Sequence, residues 1–300
     1  MITARTLSVL ALVAGLAGGT ISDDRSQEPP QREPGTGDWI LAGDFHVHAF
    51  FGDLGLAPWD LQREASRARL DVIAITNHGG LSGGRLNRWW AGLSESGPLV
   101  IAGQEVTALT YHLIAAGIER PIDPRQPAVD AIRAVQSQGG VAIAAHPIRG
   151  YQTYDDDAVM ALDGVEAAHP VAYDSEESAG DIGAFYRRAA AVRPGVAAIG
   201  SSDFHIIAPL GIVRTLLFAR EYTEAGVLDA IRRGQTVAAD RDGNLYGAPS
   251  LVARARAHFD RHPDQGLRRP ERTSTSRAAV LLALAGLLGL TLTDARRPAP

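Results

Sequence analysis

Short apolar runs alternate with helical patterns through the middle of the chain, between Trp39 and about Asp260. The stretch from Asp71 to Thr76 contains a short continuous apolar run, whereas the stretch from Pro58 to Leu70 places its apolar residues on one helical face. Parallel strands need crossover helices and have both faces covered, so they read as uninterrupted apolar runs. About seven such alternations predict an α/β domain built on parallel strands.

Metal-capable side chains follow most of the predicted strands. An open doubly wound sheet is the competing topology, and it would place a ligand site at one switch point. In a barrel, by contrast, side chains from the ends of many strands meet at one mouth. Because the candidate residues follow nearly every strand, the sequence favours a barrel with its site at the strand C-terminal ends.

Nine histidine and carboxylate side chains form this candidate set. His46 and His48 lie two apart in a predicted strand and point to the same side, although taken alone such a pair is more often two partly exposed histidines than a pair of ligands. Converging unpaired groups of this kind would be costly to bury, and divalent ions would remove that cost. The candidate ligands are His46, His48, Asp53, His78, Glu105, His112, His146, Asp203 and His205.

The number and type of these ligands constrain the metal. Nine ligands exceed the three or four protein ligands of one zinc site, so two or three divalent ions are expected. The chain has no cysteine. Disulfides, thiolate zinc sites and a cysteine nucleophile are therefore excluded, and the nitrogen and oxygen ligands fit zinc, manganese or iron.

The overall composition is that of an ordinary globular protein. Of the 300 residues 45% are hydrophobic and 21% are charged, which is ample for a sizeable core. The net charge of −5 is modest and the charges are interspersed. Nothing in this balance indicates a nucleic-acid partner, and a small-molecule substrate is expected.

The N-terminal segment has the pattern of an export signal. A positive charge at Arg5 precedes an apolar run from Leu7 to Ala17 and a small-x-small cleavage pattern. Residues 1–21 are predicted to be a signal peptide, with a buried N-terminal helix as the alternative. The polar, Pro-rich residues 22–37 are predicted to be a disordered linker that precedes a catalytic domain over residues 38–259.

The C-terminal segment mirrors the N-terminal one. Residues 260–277 are read as a second linker, and the uncharged residues 278–293 as a transmembrane anchor followed by Arg296 and Arg297. The run is shorter than the roughly 20 residues that span a bilayer, so a core helix is the alternative. Both ends together predict a periplasmic or extracellular protein, held to the membrane through this helix.

Seven short motifs in order carry a family resemblance, from Asp44 to about Thr215. They are D-F-H-V-H, F-G-D-L-G, I-T-N-H, G-Q-E-V-T, H-L-I-A-A-G, A-A-H-P-I-R and S-S-D-F-H. This series resembles the polymerase and histidinol phosphatase (PHP) superfamily, and within it the stand-alone metallohydrolases that include the carbaryl-hydrolase-like branch. The stretch from Leu228 to Thr236 also resembles the end of such domains.

The resemblance implies a distorted (β/α)7 barrel with a trinuclear metal site at the strand C-terminal ends. The resemblance assigns His46, His48 and Asp203 to the first ion. It assigns His112 and His146 to the second ion, with Glu105 as a bridge between the first and the second. The third ion is assigned to Asp53, His78 and His205.

The chain departs from the family pattern at two positions. Asn77 stands where the family has an aspartate before the histidine, and it is expected to fix a ring tautomer and tune the site. The loop around Asp53 lacks the usual Ser-Asp-Gly. His169 has no ligand counterpart and is interpreted as a pocket-wall or structural residue.

These features predict an exported metal-dependent hydrolase, with Glu105 in the catalytic site and phosphate esters as substrates. Arg149, just after His146, is a candidate for binding a phosphate oxygen, with a surface arginine as the alternative. Two other functions stay open, namely hydrolysis of a carbamate, amide or carboxylic ester and a non-catalytic metal-binding module at the cell surface.

Overall fold

A computed structural model describes residues 3–22, 29–93, 97–205, 209–262 and 274–294. The chain divides into two compact units. One consists of residues 1–27 and 269–300, and the other of residues 28–268. All the candidate ligands belong to the second unit.

The second unit is built on one sheet. Its strands are β1 (Gln31–Arg32), β2 (Trp39–Val47), β3 (Val72–Ile75), β4 (Leu99–Thr107), β5 (His112–Ala116), β6 (Val141–Ala144), β7 (Gly164–Ala168), β8 (Ala197–Gly200), β9 (Arg214–Ala219), β10 (Thr236–Ala239) and β11 (Leu245–Gly247). They follow one another in the order β11-β10-β9-β2-β3-β4-β5-β6-β7-β8, with β1 beside β2. The sheet is curved into a nearly closed barrel, as predicted.

Helices connect most of the strands. They are α2 (Pro58–Arg67), α3 (Ser82–Ala91), α4 (Ala128–Gln136), α5 (Asp156–Ala161), α6 (Glu176–Val192), α7 (Glu224–Arg232) and α8 (Pro249–Arg261), together with a 3-10 helix (Pro170–Tyr173). Side-chain caps fix three of the starts, because Asp155, Ser175 and Thr223 accept backbone N–H groups at the beginnings of α5, α6 and α7.

The strands are not all parallel, and this corrects the all-parallel sheet predicted from the sequence. The pairs β2–β3, β3–β4, β6–β7 and β7–β8 are parallel, whereas β5 is antiparallel to both β4 and β6, and β9 is antiparallel to β2 and β10. For β4 and β5 the reason is the length of the connection. Residues 108–111 between β4 and β5 are too few for a crossover helix, so the chain returns as a hairpin.

Both faces of the central strands are covered. On β3, Ile73 and Ile75 pack in one apolar cluster with Leu61 of α2, whereas Val72 and Ala74 belong to the cluster that continues to α7. All four β3 residues are buried. This two-sided burial explains the continuous apolar run in the sequence.

Residues 29–37, predicted as part of a linker, belong to the barrel unit. Gln31 and Arg32 pair with the start of β2, and the carboxylate of Glu33 accepts hydrogen bonds from Arg254 on α8. The same guanidinium binds Asp38 and lies over the ring of Phe218. Because these contacts order the segment, its polar composition does not produce a disordered linker here.

The other unit contains two helices, α1 (Ala4–Ser22) and α9 (Ser274–Asp294), which pack against each other. Gly15 allows the close approach, since a Cβ there would lie 2.4 Å from the backbone nitrogen of Ala283. Among the described residues, no helix has both the length and the apolar character needed to cross a membrane. This finding does not support the anchor predicted over residues 278–293. Most of the linker predicted before it, residues 263–273, lies outside the described part of the chain.

Candidate metal centre

The nine predicted ligands meet at one end of the barrel. Most lie at or just beyond the C-terminal end of a strand, and His112 begins β5, which runs antiparallel to its neighbours. Glu105 and His112 lie on the paired strands β4 and β5, so they are diagonal neighbours on one face. The fold thus assembles ligands that are up to about 160 positions apart in the sequence.

The first group contains four side chains. The Nε2 atoms of His46 and His48 lie 3.3 and 3.5 Å from Oε2 of Glu105, and both lie 3.2 Å from Oδ1 of Asp203. A tetrahedral zinc ion with bonds of about 2.0–2.1 Å places its ligand atoms about 3.3 Å apart. The spacing of this group therefore fits one small divalent cation.

The second group uses the other oxygen of the same carboxylate. Oε1 of Glu105 lies 2.8 Å from Nδ1 of His112 and 3.2 Å from Nε2 of His146. Glu105 is 1% exposed, and its two oxygens face two different sets of imidazoles. This arrangement suits a carboxylate that bridges two ions.

The third group is formed by His48, Asp53, His78 and His205. Asp53 Oδ2 lies 2.8 Å from Nδ1 of His48 and accepts the backbone N–H of His78. His78 is the most exposed of these imidazoles, and its Nδ1 also lies 2.8 Å from Glu105. The group contains the three residues predicted for a third ion, and His48 joins it to the first.

The carboxylates are held ionised. Burial raises the pKa of Glu105, but the charge of His46 and hydrogen bonds from the surrounding imidazoles outweigh burial and hold that pKa well below its usual value. Burial likewise raises the pKa of Asp203, but the charge of His46 and the imidazoles of His205 and His48 hold it far lower. The neighbouring carboxylate of Glu105 raises the pKa of His78, and that of Asp203 raises the pKa of His205. A bound divalent cation would displace protons from these rings.

Buried polar atoms without hydrogen bonds provide a test of this interpretation. Within the described part of the chain, five ligand-type atoms of the first two groups are buried and make no hydrogen bond: Nε2 of His46, Nε2 of His48, Oε2 of Glu105, Nδ1 of His112 and Oδ1 of Asp203. Such atoms are costly to leave unpaired. Nitrogen and oxygen atoms grouped in this way are suitable ligands for divalent metal ions.

Glu166 is a buried site residue that the sequence analysis did not single out. Its Oε1 lies 3.1 Å from Nδ1 of His46, and its Oε2 accepts the backbone N–H of His146. Burial raises the pKa of Glu166, but the neighbouring imidazoles of His169 and His46 lower it overall to about 2. A signal was present in the sequence, since Glu166 is an isolated charge inside the apolar run of β7. Such a charge requires a partner when the strand is buried on both faces.

Backbone strain marks two of the ligands. His146 has φ +23° and Asp203 has φ +48°, a region that non-glycine residues rarely adopt. Conformations of this kind persist where surrounding contacts fix them, and they concentrate at functional sites. The carboxylate of Glu166 is one such contact, because it binds the His146 N–H.

Asn77 has a different role from the one predicted. Its side-chain oxygen accepts the N–H of Ala49, and its Nδ2 donates to the carbonyl of Ala49 and, at 3.4 Å, to that of Phe51. It therefore fixes the backbone that leads to Asp53 and, among the described residues, makes no hydrogen bond to an imidazole. Gly83 makes room for this amide, since a Cβ there would lie 2.5 Å from Nδ2.

Arg149 is not brought into the cluster. Its guanidinium is 81% exposed and pairs with Glu177 at 2.7 Å. His169, in contrast, lies at the cluster, where its ring is 5.1 Å from the ring of His146. Burial lowers the pKa of His169 to about 4.

Comparisons with known proteins agree with this architecture. A family model described as PHP-associated (PHP_C) matches residues 187–236. An uncharacterized protein of Methanocaldococcus jannaschii is 26% identical over 143 residues, which cover 42% of this chain and 80% of that protein. A crystal structure from Bacteroides vulgatus, of a two-domain protein containing a predicted PHP-like metal-dependent phosphoesterase, has a TM-score of 0.57 and 22% identity. That match covers 76% of this chain and 72% of the other. The family-model match over residues 187–236 and the shared fold thus support the resemblance to the PHP superfamily that the motif series carries.

Proposed function

We propose that the protein is a metal-dependent hydrolase that cleaves phosphate esters. One observation carries the proposal, namely that Glu105 is buried between two groups of imidazoles and turns one oxygen toward each. A carboxylate placed in this way holds two cations close together, an arrangement typical of phosphoryl-transfer sites. The Bacteroides vulgatus protein, which shares the fold, is described as containing a predicted phosphoesterase.

The bound ions would supply Lewis-acid polarisation of a phosphoryl oxygen and an activated water. The protein supplies position and charge. Glu105 and Asp203 would provide the negative charge that retains the cations, and His46 and His48 would bind them beside the end of β2. Glu166 holds the His46 ring so that its Nε2 faces the carboxylates of Glu105 and Asp203.

A second candidate reaction is hydrolysis of a carbamate, amide or carboxylic ester. It is favoured by exposed apolar side chains in the loop that carries Asp53, where Phe50, Phe51 and Leu54 are 56–61% exposed. In the described part of the chain, no arginine forms an ion pair with a carboxylate of the three ligand groups. Apolar side chains without a nearby arginine would suit a neutral ester with an apolar leaving group.

A substrate screen with metal analysis tests the proposal. The full chain loaded with Mn²⁺ or Zn²⁺ is assayed with nitrophenyl phosphate and bis-nitrophenyl phosphate, and in parallel with nitrophenyl acetate and an aryl carbamate. We expect metal-stimulated release from a phosphate ester, with metal content and activity both lost in His46→Ala and Glu105→Ala. The surface variant Glu177→Gln serves as the control and is expected to keep both.

The outcomes separate the candidates. Turnover of the acetate or the carbamate, without turnover of either phosphate ester, would contradict phosphate-ester hydrolysis and favour the second reaction. Two or more ions per chain with no turnover of any ester would contradict hydrolysis and favour the metal-binding module.

We also propose that residues 1–21 direct export to the periplasm or the cell exterior. The support is the apolar run Leu7–Ala17 after a basic residue. N-terminal sequencing of the mature protein tests this, because cleavage near Ala17 is expected and an intact Met1 would contradict it.

A further inference from the structure

His169 is a buried histidine at the metal centre whose two ring nitrogens have different environments. It is 4% exposed and caps the 3-10 helix that begins at Pro170. Its Nδ1 accepts the backbone N–H of Val171 at 3.2 Å. An Nδ1 that accepts cannot carry a proton, so in the neutral ring the proton is on Nε2. The cap therefore makes Nε2 a hydrogen-bond donor.

That donor has no partner within the described residues, although its atom is buried. The nearest carboxylate oxygens, Oδ2 of Asp203 and Oε2 of Glu166, are 3.7 and 3.8 Å away, which is too far for a hydrogen bond. The ring lies 5.9 Å from that of His46 and 5.1 Å from that of His146. His169 thus lies where the first and second ligand groups meet.

Neither of the two simpler roles accounts for this placement. A ligand role would need a lone pair on Nε2, which the cap at Val171 opposes. A purely structural cap would need only Nδ1, and serine would provide an acceptor there without burying an unpaired N–H. A donor that is kept unpaired inside a site of cations and carboxylates is suited to bind an anionic oxygen that enters with the substrate.

We propose that His169 binds the substrate through its Nε2–H, which donates a hydrogen bond to a phosphoryl oxygen held between the first two ligand groups. This inference rests on the proposed phosphate-ester hydrolysis, and it names a substrate-binding residue that the motif series does not include.

Two isosteric variants separate the functions of the two nitrogens. His169→Asn keeps an acceptor near the Nδ1 position, and hence the cap, but it removes the Nε2 donor. His169→Gln keeps an N–H donor near the Nε2 position and loses the cap. A structural role predicts that the glutamine variant is the damaged one, whereas the proposed role predicts that the asparagine variant loses phosphate binding.

The experiment measures binding of inorganic phosphate to the Mn²⁺-loaded full chain by calorimetry, together with metal content and Tm. We expect His169→Asn to keep the wild-type metal content and Tm and to bind phosphate about tenfold or more weakly, as for loss of a hydrogen bond to a charged group. We expect His169→Gln to have a lower Tm and to bind phosphate within about threefold of wild type.

Three results would overturn the inference: wild-type phosphate affinity in His169→Asn, loss of an ion from His169→Asn, or no phosphate binding by the wild-type protein. Because phosphate binding requires no turnover, the inference is separable from the proposed reaction. A wild-type protein that binds phosphate through His169 and hydrolyses no ester would contradict the hydrolase and leave the binding role intact.

Discussion

Nδ1 of His46 lies 3.1 Å from Oε1 of Glu166, and both side chains are fully buried although they are 120 positions apart in the sequence. When the His46 ring is neutral, the carboxylate holds its proton on Nδ1, so the lone pair of Nε2 can bind an ion that Glu105 and Asp203 would also hold. The other Glu166 oxygen binds the strained backbone of His146. One carboxylate therefore orients a ligand in each of the first two groups.

Glu166→Gln is expected to weaken metal binding by about 10–100-fold, because the ring of His46 loses its charged partner. Competition titration with a chelating dye measures the affinity, and the Co²⁺ absorption spectrum reports the ligand geometry. Glu166→Asp, which restores the charge, should recover part of the affinity. Unchanged affinity and spectrum in Glu166→Gln would show that His46 needs no orienting partner.

Asn77→Asp should destabilise the loop that carries Asp53. The substitution replaces an amide N–H by a carboxylate oxygen facing the carbonyls of Ala49 and Phe51. We expect a loss of about 1–3 kcal/mol in the free energy of unfolding. We also expect weaker occupancy of the third group. Urea unfolding and metal analysis measure the two effects, and a variant as stable as wild type would mean that the amide hydrogen bonds contribute little.

Arg149→Ala tests the one predicted catalytic side chain that the fold leaves outside the cluster. Because its guanidinium is exposed and paired with Glu177, we expect kcat and KM to stay within about twofold of wild type, as for a surface ion pair. Glu177→Ala, which removes the partner instead, is the matched control. A tenfold rise in KM in Arg149→Ala alone would restore the phosphate-binding role predicted from the sequence.

Glu33→Gln should reduce stability in a pH-dependent manner. The hydrogen bond from Arg254 lowers the pKa of Glu33 below its usual 4.5 in the folded chain. The ionised carboxylate therefore stabilises the fold above pH 4.5, and that contribution is lost as the pH falls through the lowered folded value. We expect wild type to exceed the variant by about 1 kcal/mol at pH 7.

The same comparison at low pH completes this test. Once Glu33 is protonated in both states, the difference between wild type and Glu33→Gln should shrink toward zero. Urea unfolding at the two pH values measures it. A difference that grew as the pH fell would contradict the ion pair with Arg254.

Most strands and helices could be predicted from the sequence, since each is a local pattern. The strand predicted from Asp71 to Thr76 forms over Val72–Ile75, and the helix predicted from Pro58 to Leu70 ends three residues early at Arg67. Strand direction was harder to predict, because it depends on the length of the connections and on pairing partners. Residues 31–38 are ordered rather than a disordered linker for a similar reason, since their structure depends on a contact with Arg254, more than 200 positions away.

By itself the sequence determined the set of ligand-type residues and the class of fold. His46, His48 and Glu105 stand where apolar runs end, and that pattern is local. The tertiary structure decided which atoms face one another: the division of the Glu105 oxygens between two groups, the pairing of His46 with Glu166 and the direction of the His169 donor. These depend on distances of a few ångströms between residues far apart in the chain, which are set by the register and curvature of the barrel.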